Sequence, residues 1–343
     1  MDASLRAFAR ALGTPEAGLD LARAALLIAE VEHPGLPVDD YLRALDLLAA
    51  RSGARRSDDP LHRLHRLREF LFEEEGFRGN VEAYYDPGNS CLNDVLDRRL
   101  GIPITLSVVL MEVGRRVGLD IAGVGLPGHF VVSARVGPAA VLLDPFSGGA
   151  LLTPESCAKL VSRALGRRVA LTPALLAPAT KRQILVRMLN NLKAIYWQRE
   201  DWPKTLAITD RLLAADPTLV AVVRDRGTAL TRLGEYRRGL ADWERYLTER
   251  PQAPDAEALA GVGEVGIRQE CQPDIGLGRE LMAHPAGRLR RGAHSGLGLA
   301  LQEDDVEPRV SFEEVGGDRR ADHAAADHED VRRGHGRPAG SVS

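Results

Sequence analysis

Of the 45 basic residues in this chain of 343, only four are lysine; cysteine occurs three times, and aromatic residues make up 5%. Each scarcity excludes something. Cys91, Cys157 and Cys271 have no metal-ligand spacing and form no paired framework, so a reducing, cytoplasmic setting is the simplest expectation. No uncharged apolar run approaches the roughly 20 residues that span a bilayer. The N-terminus carries an early acidic residue and no signal-peptide core, so neither membrane nor export is expected. A formal net charge of −3 supplies no field that would gather nucleic acid. The shortage of lysine fits the base composition of a GC-rich gene better than any function.

What is present is helical at the start. Residues 16 to 33 place Leu19, Leu21, Ala22, Ala25, Leu26 and Ala29 at helical spacing, with Pro34 as the stop. Asp39 or Asp40 opens a second helix with Tyr41, Leu42, Leu45 and Leu48 as its buried stripe. Pro60 to Glu75 reads as a third, with Leu64, Leu67 and Leu71 on one face. His62 and His65 stand three apart, but no third ligand is nearby and a solvated face explains them; no metal and no cofactor are expected.

The stretch from 84 to 146 carries the polar residues of interest. Ser90 is expected to cap a short helix holding Leu92, Val95 and Leu96 that stops at Gly101. Pro103 opens a core helix of about four turns, because its fixed φ and missing N–H suit the first helical position. Leu106, Val109, Leu110, Val113 and Val117 give that helix a broad apolar face, and Gly118 ends it. Three strands follow, at Ile121–Val124, Phe130–Val136 and Val141–Leu143, with Gly137-Pro138 as a turn signal. A turn centred between Val136 and Gly137 sets His129 opposite Asp144, about 5 Å away on one face. An imidazole beside a carboxylate is how a base is oriented for nucleophilic catalysis.

A helix, then Gly-His-Phe on one strand and Asp-Pro on the next, resembles the transglutaminase-like branch of the papain-type fold. More narrowly, Asn89 to Ile104, Gly123 to Phe130 and Asp144 to Gly149 resemble the bacterial SirB-type proteins, which join such a domain to tetratricopeptide repeats. The resemblance covers roughly residues 20 to 258. It implies an α+β fold, with a cysteine at the start of the core helix, a histidine on a strand and an aspartate on its neighbour.

The cysteine is where the chain departs, because Pro103 occupies that position. His129 and Asp144 are then two-thirds of a triad, or simply a buried histidine satisfied by a carboxylate. Three residues could stand in for the nucleophile. Cys91 lies one residue past the Ser90 cap, where a helix dipole would lower its pKa, although a lone cysteine is usually a small hydrophobe. Thr105 and Ser107 lie on the first turn of the core helix, where hydroxyls more often bond backbone groups. Asn89, Asn93, Asp97 and Arg98, with Pro103, are the candidate lining of a cleft beside His129; a solvated helix face explains the polar four equally well.

Beyond a proline-spaced link at 173 to 178, the windows 184–217 and 218–251 each run 34 residues and close on proline, the tetratricopeptide period. Gly227, Gly234, Gly239 and Trp243 fit the second window; Lys193 and Thr205 stand at usually small positions of the first. Two repeats cannot bury a face alone, so they should pack on the first domain, as a buttress, or on a partner, as a recruitment groove. From Gly261 on there are 14 glycines, no lysine and one aromatic residue in 83 positions, which predicts a disordered tail or a shifted reading frame. His323 and His328 within it are not expected to bind metal.

The expected organisation is a transglutaminase-like domain at 1–172 with a helical N-terminal part, tetratricopeptide-like repeats at 180–258 and a disordered tail at 259–343. The expected function is a non-catalytic scaffold or regulatory protein that holds a protein partner through its cleft or repeats, with no nucleic acid or membrane partner. The alternative is a papain-like hydrolase or acyl transferase with an unconventional nucleophile. The sequence says nothing of oligomeric state, substrate or pathway.

Overall fold

The computed structural model describes residues 2–137, 139–256 and 259. The expected tail, with Cys271, His323 and His328, therefore lies outside the described residues, as does Pro138.

The first half is helical. α1 (Ala3–Leu12) is capped by Asp2 and buries Leu5, Phe8 and Leu12; it was not expected. α2 (Leu21–Ala29) starts later than the apolar spacing suggested, because the Asp20 carboxylate accepts the Arg23 N–H at 3.0 Å and fixes the helix start there. α3 (Val38–Arg51) and α4 (Pro60–Glu69) follow, the latter capped by Asp59 and running into a π-helical turn at Phe70–Glu74. Strand β1 (Arg78–Gly79) comes next.

α5 (Leu92–Arg98) differs from expectation at both ends. Cys91, not Ser90, is its N-cap residue, and no side chain caps it. It ends at Arg98 because Arg99 turns left-handed, at φ 62°, and lets Leu100–Gly101 (β2) pair in parallel with β1.

α6 (Pro103–Arg116) begins on its proline as expected. It is buried nearly all round rather than on one face, with Ile104, Leu106, Val108, Val109, Leu110 and Val113 each at 4% exposure or less. A side chain of that kind contributes roughly 1.5–3 kcal/mol when buried, so α6 is the centre of the first half.

β3 (Asp120–Leu126), β4 (His129–Val136), β5 (Ala139–Asp144) and β6 (Ala150–Leu152) form an antiparallel sheet in that order. Phe130, Val132 and Ala134 of β4 join the main core with α6. Val131 alternates to the other face and packs with Val161 of α7 (Pro154–Leu165). The sheet thus lies between α6 and α7.

The link at 173–178 is stitched to the β3 edge: Val124 bridges Pro178, and the Ala179 N–H donates to Gly123 O at 2.8 Å. Two helix pairs follow, α8 (Lys181–Gln198) with α9 (Trp202–Ala215) and α10 (Val220–Arg232) with α11 (Tyr236–Glu249). They match the two windows. A Cβ on Gly227 would meet Trp243 at 2.6 Å and Gly239 O at 2.9 Å, so α10 and α11 approach too closely there for any side chain. Ile184, Leu185, Met188, Leu189, Leu192, Ile208 and Leu212 belong to the same core as α6. The repeats bury their open face on the first half.

Candidate functional site

β4 and β5 bring His129 and Asp144 together. Their Nε2 and Oδ2 atoms lie 3.0 Å apart, with the histidine side chain 15% exposed and the aspartate 3%. The hairpin register is not the expected one. Val136 pairs with Ala139 and Val132 with Leu143, so His129 and Asp144 are diagonal neighbours rather than direct partners. A slip of two residues keeps both side chains on one face, which is why the pair still meets. Alternation puts that face with Val131 and Leu142, on the side that α7 covers.

Asp144 is firmly held. Its Oδ1 accepts the Phe146 and Ser147 N–H groups at 3.0 and 3.4 Å, and its Oδ2 accepts the Ser147 hydroxyl at 2.8 Å. Burial pushes its pKa up, but the His129 contact and charge and the Ser147 and Phe146 bonds outweigh it, leaving the carboxyl below its ordinary range. His129 Nε2 is within ion-pair distance of this carboxylate yet has no well-directed hydrogen bond and no solvent access.

Phe146 connects the pair to the start of α6. Its ring meets His129 edge-on, with centroids 6.2 Å apart, and fills the space of a Cβ on Gly79, 2.5 Å from where that atom would be. Gly79 pairs with Gly101, two residues before Pro103. Tyr84 packs against the same ring, with centroids 6.0 Å apart.

No candidate nucleophile is poised. Pro103 occupies the first position of α6 and offers none. Ser107 Oγ donates back to Pro103 O at 2.8 Å, and Thr105 Oγ1 donates to Asn89 O at 2.7 Å; both residues are fully buried. Cys91, also fully buried, has its thiol pushed up by burial and by the charges of Asp94 and Glu32, the opposite of the expected lowering. The sequence reading passed over Cys157 of α7. Its thiol is raised by burial and then by the Asp144 carboxylate, so it too stays protonated. Its position beside Asp144 depends on how α7 folds over the sheet, for which residue spacing gives no signal.

The expected cleft residues are engaged in hydrogen bonds around α5. Asn89 is a fully buried hub: its amide donates to Ala83 O and Tyr84 O at 2.6 and 3.1 Å, and its Oδ1 accepts from Asn80 and Arg98, each at 3.0 Å. Arg98 also pairs with Asp86 at 2.7 Å. Asp97 accepts the Tyr41 hydroxyl from α3 at 2.8 Å. Asn93 donates to Asp94, whose other oxygen meets His33 Nε2 at 2.9 Å. Asn89, Asp97 and Arg98 tie α5 and the turn before it to neighbouring elements, while Asn93 bonds only its neighbour Asp94. Among the described residues no His, Cys, Asp and Glu cluster could hold a metal.

A central helix starting on Pro103, packed on an antiparallel sheet that carries a His–Asp pair and followed by two helix pairs, defines a transglutaminase-like protein with tetratricopeptide repeats. The transglutaminase-like superfamily matches residues 39–190, and the tetratricopeptide repeat matches 192–262. The chain belongs to the bacterial UPF0162 family, the SirB-like arrangement of these two parts. It is 36% identical over 248 residues to the UPF0162 protein of Xylella fastidiosa strain Temecula1, covering 71% of this chain and 88% of that protein. The Vibrio cholerae UPF0162 protein is 30% identical over 190 residues, covering 55% and 70%. Mouse F-box only protein 21 is 31% identical over 133 residues, 36% of this chain and 20% of that protein. No solved structure matches.

Proposed function

We propose that this chain is a non-catalytic transglutaminase-like scaffold or regulatory protein, a pseudoenzyme of the cytoplasm, that holds a protein partner through the region of His129 or through its repeats. The observation that carries the reading is Pro103 at the first turn of α6, where the family's cysteine would gain the helix N-terminus. The surrounding hydroxyls are committed to backbone carbonyls, the thiols are held protonated, and His129 Nε2 is closed to solvent. Tetratricopeptide repeats generally mediate protein contacts, which supports the second half of the reading. Among the described residues no helix is long and apolar enough to cross a membrane.

Intact-mass measurement after brief exposure of the native protein to a fluorophosphonate and to iodoacetamide tests this. The expected result is no rapid adduct that depends on His129. A fast adduct that disappears in His129→Ala would establish the alternative, a hydrolase or acyl transferase using His129 and Asp144 with an unconventional nucleophile.

A further inference from the structure

At the opposite end of α3 from its start, the chain makes an open, basic surface hollow, with Arg56 and His62 exposed, that the His129 site does not use. It has a volume of about 480 Å³ and is lined by Arg51, Arg56, His62 and Arg66 together with Ser52 and Ser57; no carboxylate lines it. Two of the guanidiniums are already engaged. Those of Arg51 and Arg66 lie 5.7 and 5.9 Å from the centre of the Phe70 ring, and the same side chains pair with Glu75 and with Glu69 and Glu74. Phe70 opens the π-helical turn, a distortion that recurs at functional sites. Ser57 is held in place by Arg63, which donates to its carbonyl at 2.7 Å.

The Arg56 and His62 side chains have no hydrogen-bond or ion-pair partner among the described residues. The charges of Arg51 and Arg66 are met by Glu75, Glu69 and Glu74, so the unpaired charge of the hollow is that of Arg56, with His62 as a second uncommitted donor and no acid among the lining side chains. Planar guanidiniums match the paired oxygens of a phosphate and hold it bidentately. The volume falls within the range of small-molecule pockets, about 300–1,000 Å³. In a chain of net charge −3, three arginines and a histidine around one small hollow suit a compact anion rather than a nucleic-acid backbone.

We propose that this cavity binds a small phosphorylated molecule, a phosphate monoester or pyrophosphate, with Arg56 and His62 as its uncommitted ligands. The test is calorimetric titration of the full-length protein with sodium pyrophosphate and with AMP at constant ionic strength. A phosphoserine peptide is titrated in parallel. Saturable binding of at least one of the two small probes is expected, weakened about tenfold by Arg56→Gln and again by His62→Gln, the loss of one charge-assisted contact each. Both replaced side chains lack partners, so circular dichroism should show both variants folded. Arg43→Gln, on α3 but outside the cavity, should bind as the wild type does. Absence of saturation for both small probes, or binding that is indifferent to Arg56→Gln, would overturn the assignment. Binding of the phosphopeptide alone would overturn the small-molecule ligand.

Discussion

Asp144 reaches His129 diagonally across β4 and β5, its Oδ2 3.0 Å from Nε2, while its Oδ1 accepts the Phe146 N–H at 3.0 Å. One carboxylate thus fixes both the imidazole and the turn that carries the Phe146 ring against it. The two side chains share a charge contact, so their removal cannot be additive. His129→Ala and Asp144→Ala should each destabilise by about 1–3 kcal/mol, since each leaves a buried polar partner unmatched. The double variant should fall short of the sum by 0.5 kcal/mol or more in urea denaturation. Strict additivity would show that the contact contributes nothing.

The same pair sets an acid limit. Asp144 has a folded pKa below its unfolded value of about 3.9. The stability it adds is therefore fully present above that value and is lost as pH falls through the lowered folded value. The stability gap between wild type and Asp144→Asn should be widest near pH 7 and narrow progressively below pH 4. A gap that stayed constant down to pH 2 would contradict the depressed pKa.

How far the sequence could be read follows from which signals are local. α6 was legible because a proline start, a 3- and 4-residue apolar spacing and a closing glycine all lie within one short stretch. The hairpin was legible only modulo two residues. Side-chain period fixes the face, but the pairing of Val136 with Ala139 depends on the turn's backbone, which composition does not dictate. That slack did not hide the His129–Asp144 pair, because diagonal neighbours on one face are still within reach. The roles of Asn89 and Asp97 were hidden for a different reason. Their partners, such as Ala83 O and the Tyr41 hydroxyl, are supplied by loop closure and by helix packing, and a polar residue on a helix looks the same whether it faces water or a neighbouring element. Both readings of Cys91 stayed open in the sequence because its place at the helix start was visible and its burial was not.

Cys91→Ala should cost stability without touching function. The thiol is fully buried among core residues, so its loss leaves a small void and a penalty of about 1 kcal/mol. Peptide mapping should find Cys91 and Cys157 unlabelled after iodoacetamide treatment of the native protein and labelled after denaturation, since both thiols are buried and held protonated. Rapid native labelling of Cys91 would contradict this.

Gly79→Ala should disturb the His129 site from a distance. The added methyl would stand 2.5–2.7 Å from three atoms of the Phe146 ring, well inside contact distance. Gly79 is paired with Gly101 and cannot retreat without loosening the start of α6, so the ring must give way. That ring packs against both His129 and Tyr84. Overpacking of this kind costs about 1–3 kcal/mol, and the His129 ring resonances should shift with it. Phe146→Leu removes ring atoms at the clash while keeping an apolar side chain, and should itself destabilise by opening space beside Tyr84. If the two residues compete for one volume, Gly79→Ala in the Phe146→Leu background should cost less than in the wild type. Equal costs in both backgrounds, or an unmoved His129 signal in Gly79→Ala, would mean that Phe146 does not couple the start of α6 to the pair.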